Sequence, residues 1–182
     1  MLPLKKPNAM NLLNDPWLHL VLDRPRIIAN IASIVRLCAG TEVALHICGP
    51  LVFEQNDKTK WRAGLDYFEG ARVHFHQSLD RCLDLLDREP WLIEVGGSKT
   101  PWEAEIKPGD VLILGPETDS VQESIRKQYP ERILTLPQPG PVRSLNLAQC
   151  AAVSVFEAMR QTAWPVSKRF QVGPDPTHES HR

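Results

Sequence analysis

The chain has 182 residues, 42% hydrophobic and 24% charged, which suits one α/β domain with a sizeable core and is too short for two full domains. This composition excludes disordered, fibrous and disulfide-stapled classes. Lys+Arg 21 against Asp+Glu 22 leaves a net charge of -1, which excludes a whole-molecule cationic field but permits a local basic face.

No run approaches the roughly 20 apolar residues of a membrane span. Residues Met1 to Pro16 carry Lys5 and Lys6 with no apolar core after them, a poor match to a signal peptide. Cys38, Cys48, Cys82 and Cys150 form no Cys-x-x-Cys pair, so neither a zinc ribbon nor a redox motif is expected. Most of them sit in apolar runs as small hydrophobes, consistent with a reduced, cytoplasmic protein.

In chain order, the predicted strands are Trp17–Leu22, Val43–Cys48, Arg72–His76, Trp91–Val95, Val111–Leu114 and Arg132–Leu136. Several are near-continuous apolar runs, the pattern of strands buried on both faces of a parallel sheet. Helical spacing appears between them, at Ile31, Ile34, Val35 and Cys38, then at Leu79, Cys82, Leu83 and Leu86 with Ser78 as N-cap. A final helix is predicted from about Ser144 to Gln161, with Ala148, Ala151, Ala152, Val155 and Met159 facing inward. The alternation implies a doubly wound sheet with helices on both faces. Residues 1–16 and 165–182 read as flexible tails around a single domain spanning 17–164.

Several chemistries are absent. The first strand is followed by Asp23-Arg24-Pro25-Arg26 instead of a glycine-rich dinucleotide loop, and Gly96-Gly97-Ser98-Lys99-Thr100 lacks P-loop spacing. No G-x-S-x-G elbow is present. His74 and His76 lie two apart on a predicted strand; with no acidic or Cys partner apparent in the sequence, they read as an ordinary sheet-face pair, and no metal is expected.

Three segments suggest a site. In the first, Asn30, Ser33 and Arg36 recur every third residue along the first helix, and an Arg there suits a phosphate clamp. In the second, the strand Val111–Leu114 ends abruptly in Gly115-Pro116-Glu117, placing a carboxylate at the carboxyl edge of the sheet, where open α/β sheets bind ligands. In the third, Leu134-Thr135-Leu136 enters a loop stiffened by Pro137, Pro139 and Pro141, then a helix opened by Ser144 and Asn146. That helix start offers free N–H groups and polar side chains, or Ser144 merely caps it.

Together these segments resemble the three motifs of the ribose 2′-O-methylating SPOUT RNA methyltransferases. Leu45–Phe53 looks like that family's second strand and loop. Lys60-Trp61-Arg62-Ala63-Gly64-Leu65-Asp66-Tyr67 resembles the RAGLDY signature of the tRNA wobble cytidine/uridine 2′-O-methyltransferases. The resemblance covers roughly residues 17–164.

It implies a six-stranded, mostly parallel sheet, a deep trefoil knot between about Trp91 and Gln161, and a homodimer. It implies S-adenosylmethionine bound at Val95, Gly96, Gly115, Leu136 and Ser144, and a catalytic group of Arg36, Asn30, Ser144, Asn146 and Glu117. Arg36 matches the motif arginine proposed to act on the ribose hydroxyl. A guanidinium of pKa above about 12 is a poor base, so phosphate clamping and hydroxyl orientation are the favoured roles. RNA, an anticodon stem-loop in particular, would be held by Arg24, Arg26, Lys58, Lys60, Arg62 and Arg143. Asp119 and Ser120 stand where the family has Arg and Gly, a two-unit charge change beside the site, and a restricted backbone if positive φ is required there. Three further readings remain: a SPOUT-fold RNA binder without catalysis, a methyltransferase for another RNA, and a generic nucleotide-binding α/β domain.

Overall fold

The computed structural model describes residues 16–50 and 70–162. Lys58, Lys60, Arg62, the 60–67 signature and both predicted tails except Pro16 lie outside the described residues. The elements in order are β1 (Leu18–Asp23), α1 (Ile28–Thr41), β2 (Ala44–Cys48), β3 (Arg72–His76), α2 (Leu79–Leu86), β4 (Pro90–Ile93) and β5 (Asp110–Leu114). They continue with α3 (Glu123–Gln128), a 3-10 turn (Pro130–Arg132), β6 (Ile133–Leu134) and α4 (Leu147–Gln161).

The strands form one sheet ordered β3-β2-β1-β5-β4-β6. Every pairing is parallel, so the expectation of a mostly parallel sheet becomes an all-parallel one among the described residues. The central β1 and β2 are buried along their whole length, as their unbroken apolar runs require. Edge strand β3 is exposed at Arg72 and Phe75, half-buried at Val73 and His74 and buried at His76.

Helices cover both faces. On one, Ile31, Ile34, Val35 and Cys38 of α1 and Ala151, Val155 and Ala158 of α4 pack on Leu18, Leu20, Leu22 and Leu112. On the other, Leu79 and Cys82 of α2 and Ile125 of α3 pack with Val21, Leu92, Val111 and Ile113. Strand alternation sends odd and even residues to these two cores. No helix among the described residues is long and apolar enough to cross a membrane.

Two predicted elements change. Strand β6 shrinks from Arg132–Leu136 to two residues, because Thr135 leaves the sheet: its N–H donates to Lys99 O (2.7 Å) and its hydroxyl to Glu94 O (2.9 Å). Helix α4 starts at Leu147, with Asn146 as its N-cap in place of Ser144: the Asn146 side chain accepts from Ala148 N (2.8 Å) while Ser144 stays exposed in the loop. Its buried face is Leu147, Ala151, Ser154, Val155 and Ala158; Ala148, Ala152 and Met159 are only partly buried. Outward, it shows Val153 and Phe156, 44% and 56% exposed.

Candidate active site

Strand order reverses between β1 and β5: β2 and β3 extend the sheet to one side, β4 and β6 to the other. A cleft opens at the carboxyl ends of the strands around this point, as open α/β sheets favour. Its volume is about 550 Å³, and it is walled by the segments following β1, β4, β5 and β6 and by the start of α4.

Glu117 organises it. The N-cap of helix α1 is Ile27, which has no polar side chain to cap it. The Glu117 carboxylate does this work from 90 residues away, accepting from Ile27 N (3.0 Å) and Arg26 N (2.8 Å). A carboxylate at a helix N-terminus also meets the positive end of the helix dipole. Asn30, buried one turn in, donates to Glu117 Oε1 (2.9 Å), and Asn146 donates to Asn30 Oδ1 (2.9 Å). One residue from each of the three sequence segments thus joins a single polar chain. Burial alone would push the Glu117 carboxyl up, but these donors outweigh it and hold the group below its ordinary value.

Of the predicted residues, Asn30, Val95, Gly115, Glu117, Leu136, Arg143, Ser144 and Asn146 line the cleft. Gly115 is tightly packed, for a Cβ there would lie 2.7 Å from Val121 N. Gly96 stands just beyond the lining with φ +92, a backbone only glycine adopts cheaply. Ser120 is not among the described residues with positive φ, so the expected restriction at this position does not arise. Asp119 caps its own turn, accepting from Ser120 N (2.8 Å), and its side chain remains exposed.

Arg36 does not line the cleft. It is exposed on α1, six residues beyond Asn30, about 9 Å along the helix axis at 1.5 Å per residue. Arg24 is committed to structure: in a left-handed conformation (φ 49), it pairs with buried Asp23 (3.0 Å) and donates to Ser120 O (3.2 Å). Arg26 is exposed at the rim, its guanidinium on Thr118 Oγ1 (3.0 Å).

Two lining residues were missed. Glu94 follows β4 as Glu117 follows β5, and the strand-end argument that found Glu117 applies to it equally. Its carboxyl accepts from Val121 N, and burial pushes its pKa up despite that bond. Gln138 also lines the cleft, with its Oε1 buried and without a hydrogen-bond partner among the described residues. Elsewhere, the structure corrects the reading of His74 and His76: a Cys partner does exist, since Cys82 of α2 lies against His76 and His46.

A tRNA (cytidine(34)-2′-O)-methyltransferase of Methylovorus glucosotrophus is 41% identical over 144 residues, 78% of this chain and 94% of that protein. The protein of the same name in Saccharophagus degradans is 38% identical, over 82% and 99%. A solved structure concerned with 2-OH methylation of C/U34 on tRNA superposes with a TM-score of 0.73 at 36% identity, covering 79% of this chain and 95% of that one. The SpoU methyltransferase AviRb of Streptomyces viridochromogenes, in complex with AdoMet, shares the fold at TM-score 0.69 and 22% identity, over 81% and 61%. The model of the SpoU rRNA methylase family matches residues 17–156, the span that holds the sheet, both helix layers and every residue of the Glu117–Asn30–Asn146 chain. By fold, sequence and cleft alike, the chain belongs to the SpoU methylase family.

Proposed function

We propose that this protein transfers a methyl group from S-adenosylmethionine to the ribose 2′-hydroxyl of nucleotide 34 in tRNA, as a cytoplasmic homodimer. The observation that carries this reading is the joining of the three motif segments in one polar chain at the cleft. The named activity of relatives that match it over almost their whole length supports the substrate.

The cleft fits the cofactor. The unpartnered Gln138 Oε1 can accept from an amino group, Ile93, Leu114 and Leu136 offer apolar wall, and Glu94 and Asp119 give negative charge suited to a cation. Val95, Gly96, Gly115, Leu136 and Ser144 would hold it, largely through backbone groups. When bound, the cofactor supplies an electrophilic methyl on a sulfonium centre.

The protein's task is to place the ribose hydroxyl in line and ease loss of its proton. Glu117, depressed in pKa and already accepting three hydrogen bonds, is a weak base; it fixes Asn30 and the start of α1. Asn30 and Asn146 hold the floor of the site, and Ser144 presents a hydroxyl from the loop. Arg36 would clamp phosphate and orient the hydroxyl. Its place outside its own cleft suits delivery to the cleft of a second subunit, and the exposed Val153 and Phe156 on α4 suit a subunit contact. Arg26 and Arg143 would contact RNA near the cleft, with Arg24 supporting the loop beneath; Lys58, Lys60 and Arg62 would contribute further RNA contacts.

We also propose that residues 91–161 are knotted, within one domain spanning 17–164 between two tails. The loop after β4 supports this: Lys99 bridges to Leu134, while Gln161 at the end of α4 donates to Pro101 O (2.9 Å) and accepts from Ile106 N (2.9 Å).

The test is methyl transfer to unmodified tRNA, followed by nuclease digestion and nucleoside mass spectrometry. A 2′-O-methylated cytidine or uridine at position 34 is expected. Arg36→Ala should cut turnover about 100-fold or more while tRNA affinity falls only modestly; equal turnover in that variant would remove Arg36 from the mechanism.

A further inference from the structure

The face of the sheet under α2 carries a second polar cluster, and none of its members lines the cleft. In parallel register His46 stands opposite Val21 on one side and His74 on the other, and Cys48 stands opposite His76. Strand alternation therefore puts His19, His46, Cys48, His74 and His76 on one face. Helix α2 lays Cys82 upon it.

His46 is fully buried and bonded at both ring nitrogens, Nε2 to His19 Nδ1 (3.0 Å) and Nδ1 to His76 Nε2 (2.9 Å). One donor atom from each of His46, His76 and Cys82 lies within 4.8 Å of the others, and all three residues are buried. Cys48, opposite His76 in the register, lies in the same buried cluster as Cys82.

We propose that His46, His76, Cys82 and Cys48 form a zinc site that ties β2, β3 and α2 together. Two imidazoles and two thiols are the donor set of structural tetrahedral zinc. Two nitrogens on such an ion, each at 2.0–2.1 Å, stand about 3.3 Å apart, so the facing nitrogens of His46 and His76 need to part by only a few tenths of an ångström. Loss of the two thiol protons to solvent gives two thiolates that cancel the 2+ charge, and a buried site is cheap only when its net charge vanishes. His19 completes the arrangement. With the ion on His46 Nδ1, the other ring nitrogen carries the proton and donates to His19 Nδ1, the outer hydrogen bond that fixes a ligating imidazole.

The experiment uses the full chain, reduced and stripped with chelator, then titrated with Co²⁺ and back-titrated with Zn²⁺. The expected result is about one cobalt per chain, with the visible bands of a four-coordinate ion and a near-ultraviolet thiolate-to-cobalt charge-transfer band, both bleached by an equal amount of zinc. Cys82→Ser and Cys48→Ser should weaken or abolish the charge-transfer band, and Cys150→Ser should keep it. Cobalt bound without that band overturns the proposal, and so does an unchanged band in Cys82→Ser. Should the serine variants fail to fold, the wild-type spectrum decides by itself: no thiolate band at one equivalent refutes the site.

Discussion

At the scale of single residues, Glu117 couples the site to the fold, for one side chain starts α1, positions Asn30 and forms part of the cleft wall. Glu117→Gln keeps the shape but removes the charge and one acceptor oxygen. It should cost about 1 kcal/mol at neutral pH, after discounting for the solvent that screens a half-exposed group. The sign of its pH dependence follows from the lowered pKa. The wild-type advantage is complete above the ordinary value of 4.5 and fades as the pH falls through the depressed value in the folded state. Urea unfolding of both proteins between pH 7 and pH 3 measures this, and a gap that widens on acidification would contradict it. Asn146→Ala removes the α4 cap and the bond to Asn30 together. We expect a loss of about 1 kcal/mol from the cap, read by the same unfolding experiment, and a further loss of turnover.

At the scale of elements, the sequence made the strands legible because strands buried on both faces must be apolar without interruption, which is visible in a short run. Helix α1 was legible for a related reason, since one apolar stripe faces the sheet. Helix α4 was read in part: Ala151 and Val155 are buried and Ala148 packs against the core, but Leu147, Ser154 and Ala158 complete the buried face in place of Ala152 and Met159. Val153 and Phe156 share its exposed side with Gln149 and Arg160, so spacing alone cannot tell the core from a partly apolar surface. Strand β6 was overdrawn because the exit of Thr135 depends on partners in a distant loop, Lys99 and Glu94. The histidine cluster was missed because its members come from four elements, and only the register brings them together. Thr135 itself is testable: its oxygen also accepts from Gly97 N, so Thr135→Val leaves that N–H without its acceptor. A cost of about 1–3 kcal/mol is expected, with weaker cofactor binding by calorimetry because the loop beside Val95 loosens.

At the scale of the whole molecule, the proposed dimer makes a prediction that no monomer shares. If Arg36 serves the cleft of the other subunit, an Arg36→Ala chain and an Asn30→Ala chain, each nearly inactive, complement one another. Random mixing puts half the dimers in the mixed form with one sound site of two, so activity should recover to about a quarter of wild type. Recovery absent in dimers shown by mass spectrometry to have exchanged would place Arg36 in its own subunit's site. Phe156→Asp should give a monomer by light scattering and abolish turnover.

The central position of β1 also governs how the chain comes to be made. Leu18 to Leu22 pair with Asp110 to Leu114, partners 92 residues later in the sequence. At synthesis rates of about 5–20 residues per second, one apolar flank of a growing chain waits roughly 5–20 s for the strand that will cover it. During that interval the half-built sheet, β1 to β3, presents the very surface that chaperones hold, and folding can be completed only after β5 has been made.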